Sequence, residues 1–517
     1  MSDRTPTRRE LLVVLANLTG AALWSGRALG VVRRTLPIAK PLFTLGVASG
    51  DPAETGAVLW TRLAPEPLEG GGMPRENVAV DWVVAHDEQL TQIVQQGTAM
   101  ATPQGTHSVH VEVAGLQPDR WYWYQFRALG QESPRGRTRT APAAGELPAR
   151  LRFGVASCQH FETGLYTAYE HMAAQHPDLV VHLGDYTYEG PGRVGQVRRH
   201  VGKELQSLDD YRNRHAQYKT DPALQAMHAA VPWIVTWDDH EVDNNYANSI
   251  SEESEVDPAT FLRRRAVAYQ AYYEHMPLRR SALPRGPDMT LYRGVDWGQL
   301  TRFCVLDTRQ YRTDQPCGDG KKPPCPESRA ESATLLGPTQ WNWLTSSLSR
   351  SPARWNVLAQ QVMLARVDRE PGDAIACSMD QWPGYEFERQ RLLSFLQQSK
   401  LANPIVLTGD IHSNWANDLR VDDRDEKTPP VAAEFVGTSI SSGGNGQPEP
   451  PRLAELLSEN PFVRFHNTQR GYLLCEVTPT EWVTQYQTVT QVTEPGGTLQ
   501  TSAAFVVQRD RPGLQRR

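Results

Sequence analysis

Four short apolar, β-branched runs in this chain each end in a side chain that can bind a metal. Leu151–Ala156 leads into Ser157-Cys158, Leu179–Leu183 into Gly184-Asp185, Trp233–Thr236 into Asp238-Asp239, and Pro404–Thr408 into Gly409-Asp410. Runs of this length, bounded by Gly, Pro or polar turns, are what buried strands look like. Between the first two, Leu165, Tyr169 and Met172 recur at helical spacing and predict a helix over Thr163–Gln175. A strand, a helix and a second strand make a right-handed parallel crossover, which delivers Cys158 and Asp185 to the same sheet edge. Open α/β sheets build their sites at strand ends. The fold class expected is therefore α/β.

The residue types at those ends suit a mixed metal cluster. Cys158, Tyr188 and His412 offer a thiolate, a phenolate and an imidazole, ligands that favour a transition metal. Asp239, Asn245 and Asp410 offer oxygen, which calcium or magnesium requires. Asp185 has two carboxylate oxygens and can bridge two ions. Two or more metals lower the pKa of a bound water and clamp phosphoryl oxygens, so the pattern points to phosphate ester hydrolysis. Singly, each residue has an ordinary structural explanation: a Gly-Asp turn, a small buried cysteine, a helix cap at Asp238-Asp239. Delivery after four separate strands favours function. Whether Asp238 or Asp239, and whether Asn244 or Asn245, faces the metals stays open. Arg309 follows a strand and Asp307 and is a further, weaker candidate for the catalytic edge. Arg263-Arg264-Arg265, inside a predicted helix from Pro258 to Tyr273, reads as a solvated face.

The chain's beginning reads as an export signal. Arg8-Arg9 precedes a modest apolar stretch, Leu11 to Trp24, broken by Asn17, Thr19 and Gly20, with small residues near Ala28 to Gly30. This predicts a twin-arginine (Tat) signal peptide over residues 1–30, read by the Tat export machinery, and a periplasmic or secreted enzyme. The run is shorter than the roughly 18 residues that a membrane span needs. A net charge of -6 argues against bulk nucleic-acid binding. Six cysteines are few for a disulfide scaffold. Cys317 and Cys325, flanking a Pro/Gly-rich loop, are predicted to pair in an oxidising compartment.

Residues 43–141 read as an all-β domain. Ala57–Arg62, Val78–Val84 and Val109–Val113 alternate as strands do. Gly115–Tyr124 is similar to the turn and aromatic strand of fibronectin-like sandwiches, where a tyrosine ties the corner. Alternation along Trp121–Tyr124 makes half of it core rather than a sugar platform. Thr140–Pro148 is the expected linker, residues 150–508 the catalytic domain, and residues 509–517 a polar surface tail.

At its motifs the chain resembles the alkaline phosphatase D (PhoD) family. Ala156–Gln159, His182–Glu189, Trp237–Tyr246 and Leu407–His412 look like the signature blocks of that family, and Phe43–Pro52, Val58–Ala64 and Trp355–Gln361 match as well. The resemblance implies a metallophosphoesterase-type α/β/β/α sandwich, preceded by the small all-β sandwich. It implies a secreted phosphomonoesterase/phosphodiesterase with one ferric ion (Fe3+) and two calcium ions (Ca2+). Carried onto this sequence, it puts Cys158, Asp185, Tyr188 and His412 around the iron, with Asp185 also touching calcium. Asp239, Asn245 and Asp410 take calcium roles, and His240 sits near the scissile phosphate. Asp243 departs from the pattern, where many relatives are expected to have glutamate. Two alternatives fit the same residues: a phospholipid-cleaving diesterase of the same family, and a secreted wall-polymer-binding protein whose metal centre is only structural.

Overall fold

The computed structural model describes residues 39–517 apart from 371 and 373. The expected signal peptide lies outside these residues. Among the described residues no helix is long and apolar enough to cross a membrane.

Two large sheets lie face to face. At the centre of the first, Leu151–Ala156, Leu179–His182 and Pro232–Val235 run parallel in that order. The crossover between the first two is the helix Thr167–Ala174, shorter than the expected Thr163–Gln175. The second sheet has its own parallel centre, Thr301–Val305, Trp355–Ala359, Pro404–Thr408 and Ala432–Val436.

Alternation along these strands builds three apolar layers. Phe153, Val155, Val181 and Ile234 meet Phe303, Val357, Ile405 and Leu407 between the sheets. Val180, Trp233 and Val235 turn the other way, toward the helices Leu208–Lys219 and Pro258–His275. Leu358 and Val406 pack against the helices Gly337–Ser349 and Glu386–Gln398. Strands buried on both faces explain the near-continuous apolar runs in the sequence. Each such side chain contributes about 1.5–3 kcal/mol of burial. The result is the expected α/β/β/α arrangement.

The amino-terminal region is all-β, and it does not stand apart. Val47–Ala53 pairs parallel with Pro232–Val235, and Gly56–Arg62 and Ser108–Val113 extend the same sheet to ten strands. A second sheet, containing Val78–Ala85, Ile93–Ala101 and Trp121–Ala128, packs on these strands through Val80, Val111, Tyr122 and Phe126. The expected sandwich is therefore present, with one of its sheets continuous with the catalytic sheet. Pairing satisfies an edge of Pro232–Val235 that would otherwise be open. The Tyr122 hydroxyl accepts the Gln117 N–H at 2.9 Å, the expected tyrosine corner.

Two expectations change. Residues 509–517 were expected to be a polar tail, yet Arg511–Arg516 is an edge strand on Leu499–Gln508. An edge needs only backbone partners, so polar composition does not reveal it. Arg264 and Arg265 are buried rather than solvated. Arg264 pairs with Asp243 at 2.9 Å, and Arg265 donates to the Asn248 carbonyl at 2.6 Å.

Candidate metal centre

The strand ends of both sheets converge on one edge, and the backbone there is bent to present side chains. Cys158, Asp185, Asn245, Asp410 and His412 all have positive φ, between 48° and 66°. Each such conformation costs about 1–3 kcal/mol and persists only where its surroundings enforce it. Gly184 explains the close approach of two of these loops: at φ 108° a Cβ there would lie 2.5 Å from the Asp238 nitrogen. Glu241 then clasps both loops, accepting N–H groups from Asp185 at 3.2 Å, Tyr186 at 2.5 Å and Asp238 at 2.9 Å.

One cluster carries the soft donors. Ligand atoms of Cys158, Asp185 and His412 lie within 4.8 Å of one another. The Tyr188 hydroxyl joins them, 2.8 Å from Asp185 Oδ2 and 3.1 Å from His412 Nε2. Ser442 Oγ sits 2.8 Å from the same hydroxyl. Burial, and then the Asp185 carboxylate, push the Cys158 thiol well above its ordinary value, so a thiolate here needs a cation beside it.

A second cluster shares Asp185. Ligand atoms of Asp185, Asp239 and His240 also lie within 4.8 Å of one another. Asp185 Oδ1 is buried without a hydrogen-bond partner. An orphaned carboxylate oxygen between two donor clusters fits a bridging ligand. The Asn245 N–H donates to Asp239 Oδ2 at 2.7 Å, whereas the Asn244 N–H donates to Glu189 at 3.0 Å.

Arg309 organises the remaining acids. It is fully buried, its Nε paired with Asp238 and its Nη1 2.8 Å from Asp380. Its Nη2 lies 3.6 Å from both Asp239 and Asp410. Burial alone would lower its pKa, but Asp238, Asp239, Asp380 and Asp410 hold it well above the usual value. Asp238 thus faces the arginine and Asp239 faces Asp185. Gln381 Nε2 donates to Asp410 Oδ2 at 3.0 Å.

His240 lies at the solvent side of this cluster, its side chain 20% exposed. Its Nδ1 is 2.8 Å from Glu189 Oε2, and its ring lies 4.2 Å from that of Tyr188, tilted by 32°. Desolvation would lower its pKa, yet Glu189, Asp239 and Asp185 hold it well above the ordinary value.

The comparisons with known proteins now decide the family. The PhoD-like phosphatase profile matches residues 153–486, and that of the PhoD-like phosphatase N-terminal domain matches residues 30–142. Alkaline phosphatase D of Bacillus subtilis (strain 168) is 53% identical over 479 residues, covering 92% of this chain and 82% of that protein. A solved structure of PhoD superposes with a TM-score of 0.90 at 52% identity, covering 92% of both chains.

The chain belongs to the PhoD-like phosphatase family.

As a PhoD-like phosphatase it is a phosphoester hydrolase. Cys158, Asp185, His412, Asp239 and His240 bring their donor atoms together, and Tyr188 and Arg309 adjoin them. Asp243 points away from them, to Arg264 and to Ser251 Oγ at 2.5 Å. Sequence reasoning assigned no role to Glu189, Glu241, Asp380, Gln381 or Ser442. Glu189 and Glu241 sat inside motifs already singled out, which was the available signal. Cys317 and Cys325 form a disulfide, and Cys304, Cys377 and Cys475 are free and buried.

Proposed function

We propose that this PhoD-like phosphatase hydrolyses phosphate mono- and diesters outside the cytoplasm, using one ferric and two calcium ions. Cys158, Asp185, Tyr188 and His412 would hold the iron, and Asp239, Asn245 and Asp410 the calcium ions, with Asp185 common to both. The observation that carries this reading is the sharing of Asp185 between a cluster rich in sulfur and nitrogen and one made mainly of carboxylates. Thiolate, phenolate and imidazole select a transition metal, whereas carboxylate and amide oxygens select a hard cation. Held by these residues, the ions would supply a hydroxide at working pH and a positive surface for the phosphoryl oxygens.

The protein's own groups do the rest. Asp185 keeps the two clusters at a fixed separation. Glu189 holds His240 Nδ1, leaving Nε2 to carry a proton toward the leaving oxygen of the ester. Arg309 neutralises part of the buried acid charge and holds Asp238 out of the cation cluster.

Export by the Tat route rests on Arg8-Arg9 and is supported by the Cys317–Cys325 disulfide, a bond that persists in oxidising compartments. The regions proposed are a signal peptide over 1–30, an amino-terminal β region over 43–141 and a catalytic region over 150–508, to which the strand Arg511–Arg516 adds an edge. Elemental analysis of active protein, with assays on one soluble monoester and one diester, tests the reading. Iron and calcium with turnover of both esters is expected, and active protein holding only zinc would overturn it.

A further inference from the structure

Asn245 is gripped from outside the catalytic strands. Its Nδ2 donates to Asp319 Oδ2 at 2.6 Å, and its backbone carbonyl accepts from Gln315 Nε2 at 2.6 Å. Both partners lie in one loop, and the Cys317–Cys325 disulfide closes the part that carries Asp319. The loop is anchored twice more. Lys321-Lys322 pairs with Cys377-Ser378 as a short antiparallel ladder, and Gln315 Nε2 also reaches Asp380 Oδ1 at 2.9 Å, within the Arg309 cluster. Asp319 is itself fixed, its Oδ1 accepting the Gly320 N–H at 2.5 Å.

An amide side chain has two ends of opposite use to a cation. Its oxygen is a ligand and its nitrogen is a donor that a cation repels. Asn245 therefore serves a cation only in one of its two amide orientations. A carboxylate that takes the nitrogen decides which one. The Asn245 backbone, at φ 48°, donates its N–H to Asp239 Oδ2 at 2.7 Å, so the residue adjoins the acid cluster.

We propose that Asp319, carried on the disulfide-closed loop, is a positioning residue that orients Asn245 as a calcium ligand. The proposal rests on the reading of Asn245 given above. It links the oxidation state of a surface loop to calcium retention at the catalytic edge. Reduced protein would hold iron normally and calcium poorly.

The test measures calcium affinity directly, by calorimetric titration of calcium chloride into iron-loaded protein stripped of calcium. Removing a group that orients a metal ligand typically weakens binding about 10- to 100-fold. Asp319→Ala is expected to show a loss of that size with iron content and circular dichroism unchanged. Asp319→Asn keeps an acceptor for the Asn245 amide and is expected to recover most of the affinity. The Cys317→Ser/Cys325→Ser double variant should weaken calcium in the same direction, and wild-type affinity there would overturn the disulfide's part. Wild-type affinity in Asp319→Ala, together with loss in Asn245→Ala, would overturn the proposal and leave the calcium reading intact. Wild-type protein that binds no calcium, or an Asn245→Ala variant that binds it normally, would instead overturn that reading.

Discussion

Glu189 Oε2 and His240 Nδ1 lie 2.8 Å apart, and the other oxygen of Glu189 accepts the Asn244 N–H, so the acid is fixed at both ends. A carboxylate held this way fixes the imidazole tautomer and ring plane, as the orienting acid does in other base–acid pairs. The Tyr188 ring packs against the same ring at a tilt. On the function proposed above, this leaves Nε2 as the one defined atom from which His240 would move a proton.

His240→Ala should slow esters with alkoxide leaving groups by roughly 100- to 10,000-fold, the usual worth of a positioned general acid. p-Nitrophenyl esters, whose leaving group needs little protonation, should lose far less. Glu189→Gln should shift both rates in the same sense by a smaller factor. Equal losses on both ester types would assign His240 to phosphate binding instead, and metal loss would make it a ligand.

Asp185→Asn keeps the size of the side chain and removes its charge. Turnover should collapse while circular dichroism and thermal melting stay near normal. Hydrolysis at the native rate by the asparagine variant, with both metals retained, would end the bridging role.

Cys158→Ala should remove iron and the charge-transfer colour that a thiolate or phenolate gives a ferric ion. Absorbance and elemental analysis of the same preparation check this. Iron retained at full occupancy would remove Cys158 from the ligand set.

Lys219 makes stability depend on pH. It is fully buried with its ammonium 4.3 Å from the Trp60 ring centre and 5.3 Å from that of Tyr186. His182, His215, His228, His275 and Arg62 surround it, and burial lowers its pKa from 10.5 to about 7. Between these values the unfolded chain keeps a proton that the native state has released, so this group's contribution rises with pH from 7 to 10.5. Lys219→Met should therefore gain stability relative to wild type at or below neutral pH, with the gain fading by about pH 10. Denaturant midpoints across that range measure it. A difference independent of pH would show that Lys219 is not neutralised on folding.

The candidate metal centre was partly legible because four of its donors lie within a few residues of the end of an apolar run, a local signal. Cys158, Asp185, Asp239 and Asp410 could be read one strand at a time. Asp380 and Ser442 could not, since their roles come only from tertiary approach to Arg309 and Tyr188. That Asp238 is paired with Arg309, 71 residues further on, was likewise invisible in the sequence. The joining of the amino-terminal strands to the catalytic sheet was equally invisible, because strand patterning records which faces are buried and not which neighbour lies alongside.

The order of strands in the first sheet also sets when this enzyme can come into being. Leu151–Ala156 is flanked by Gly471–Val477, and Pro232–Val235 by Val47–Ala53. The strands that carry Cys158, Asp185 and Asp239 are thus hemmed by pieces from near both ends of the chain. During synthesis Leu151–Ala156 keeps one edge bare until residues 471–477 have left the ribosome. Pairing of that edge is accordingly late relative to Pro404–Thr408, the strand that leads to Asp410. A polypeptide ending before residue 471 would carry every candidate donor from Cys158 to His412 and leave that edge of Leu151–Ala156 unpaired.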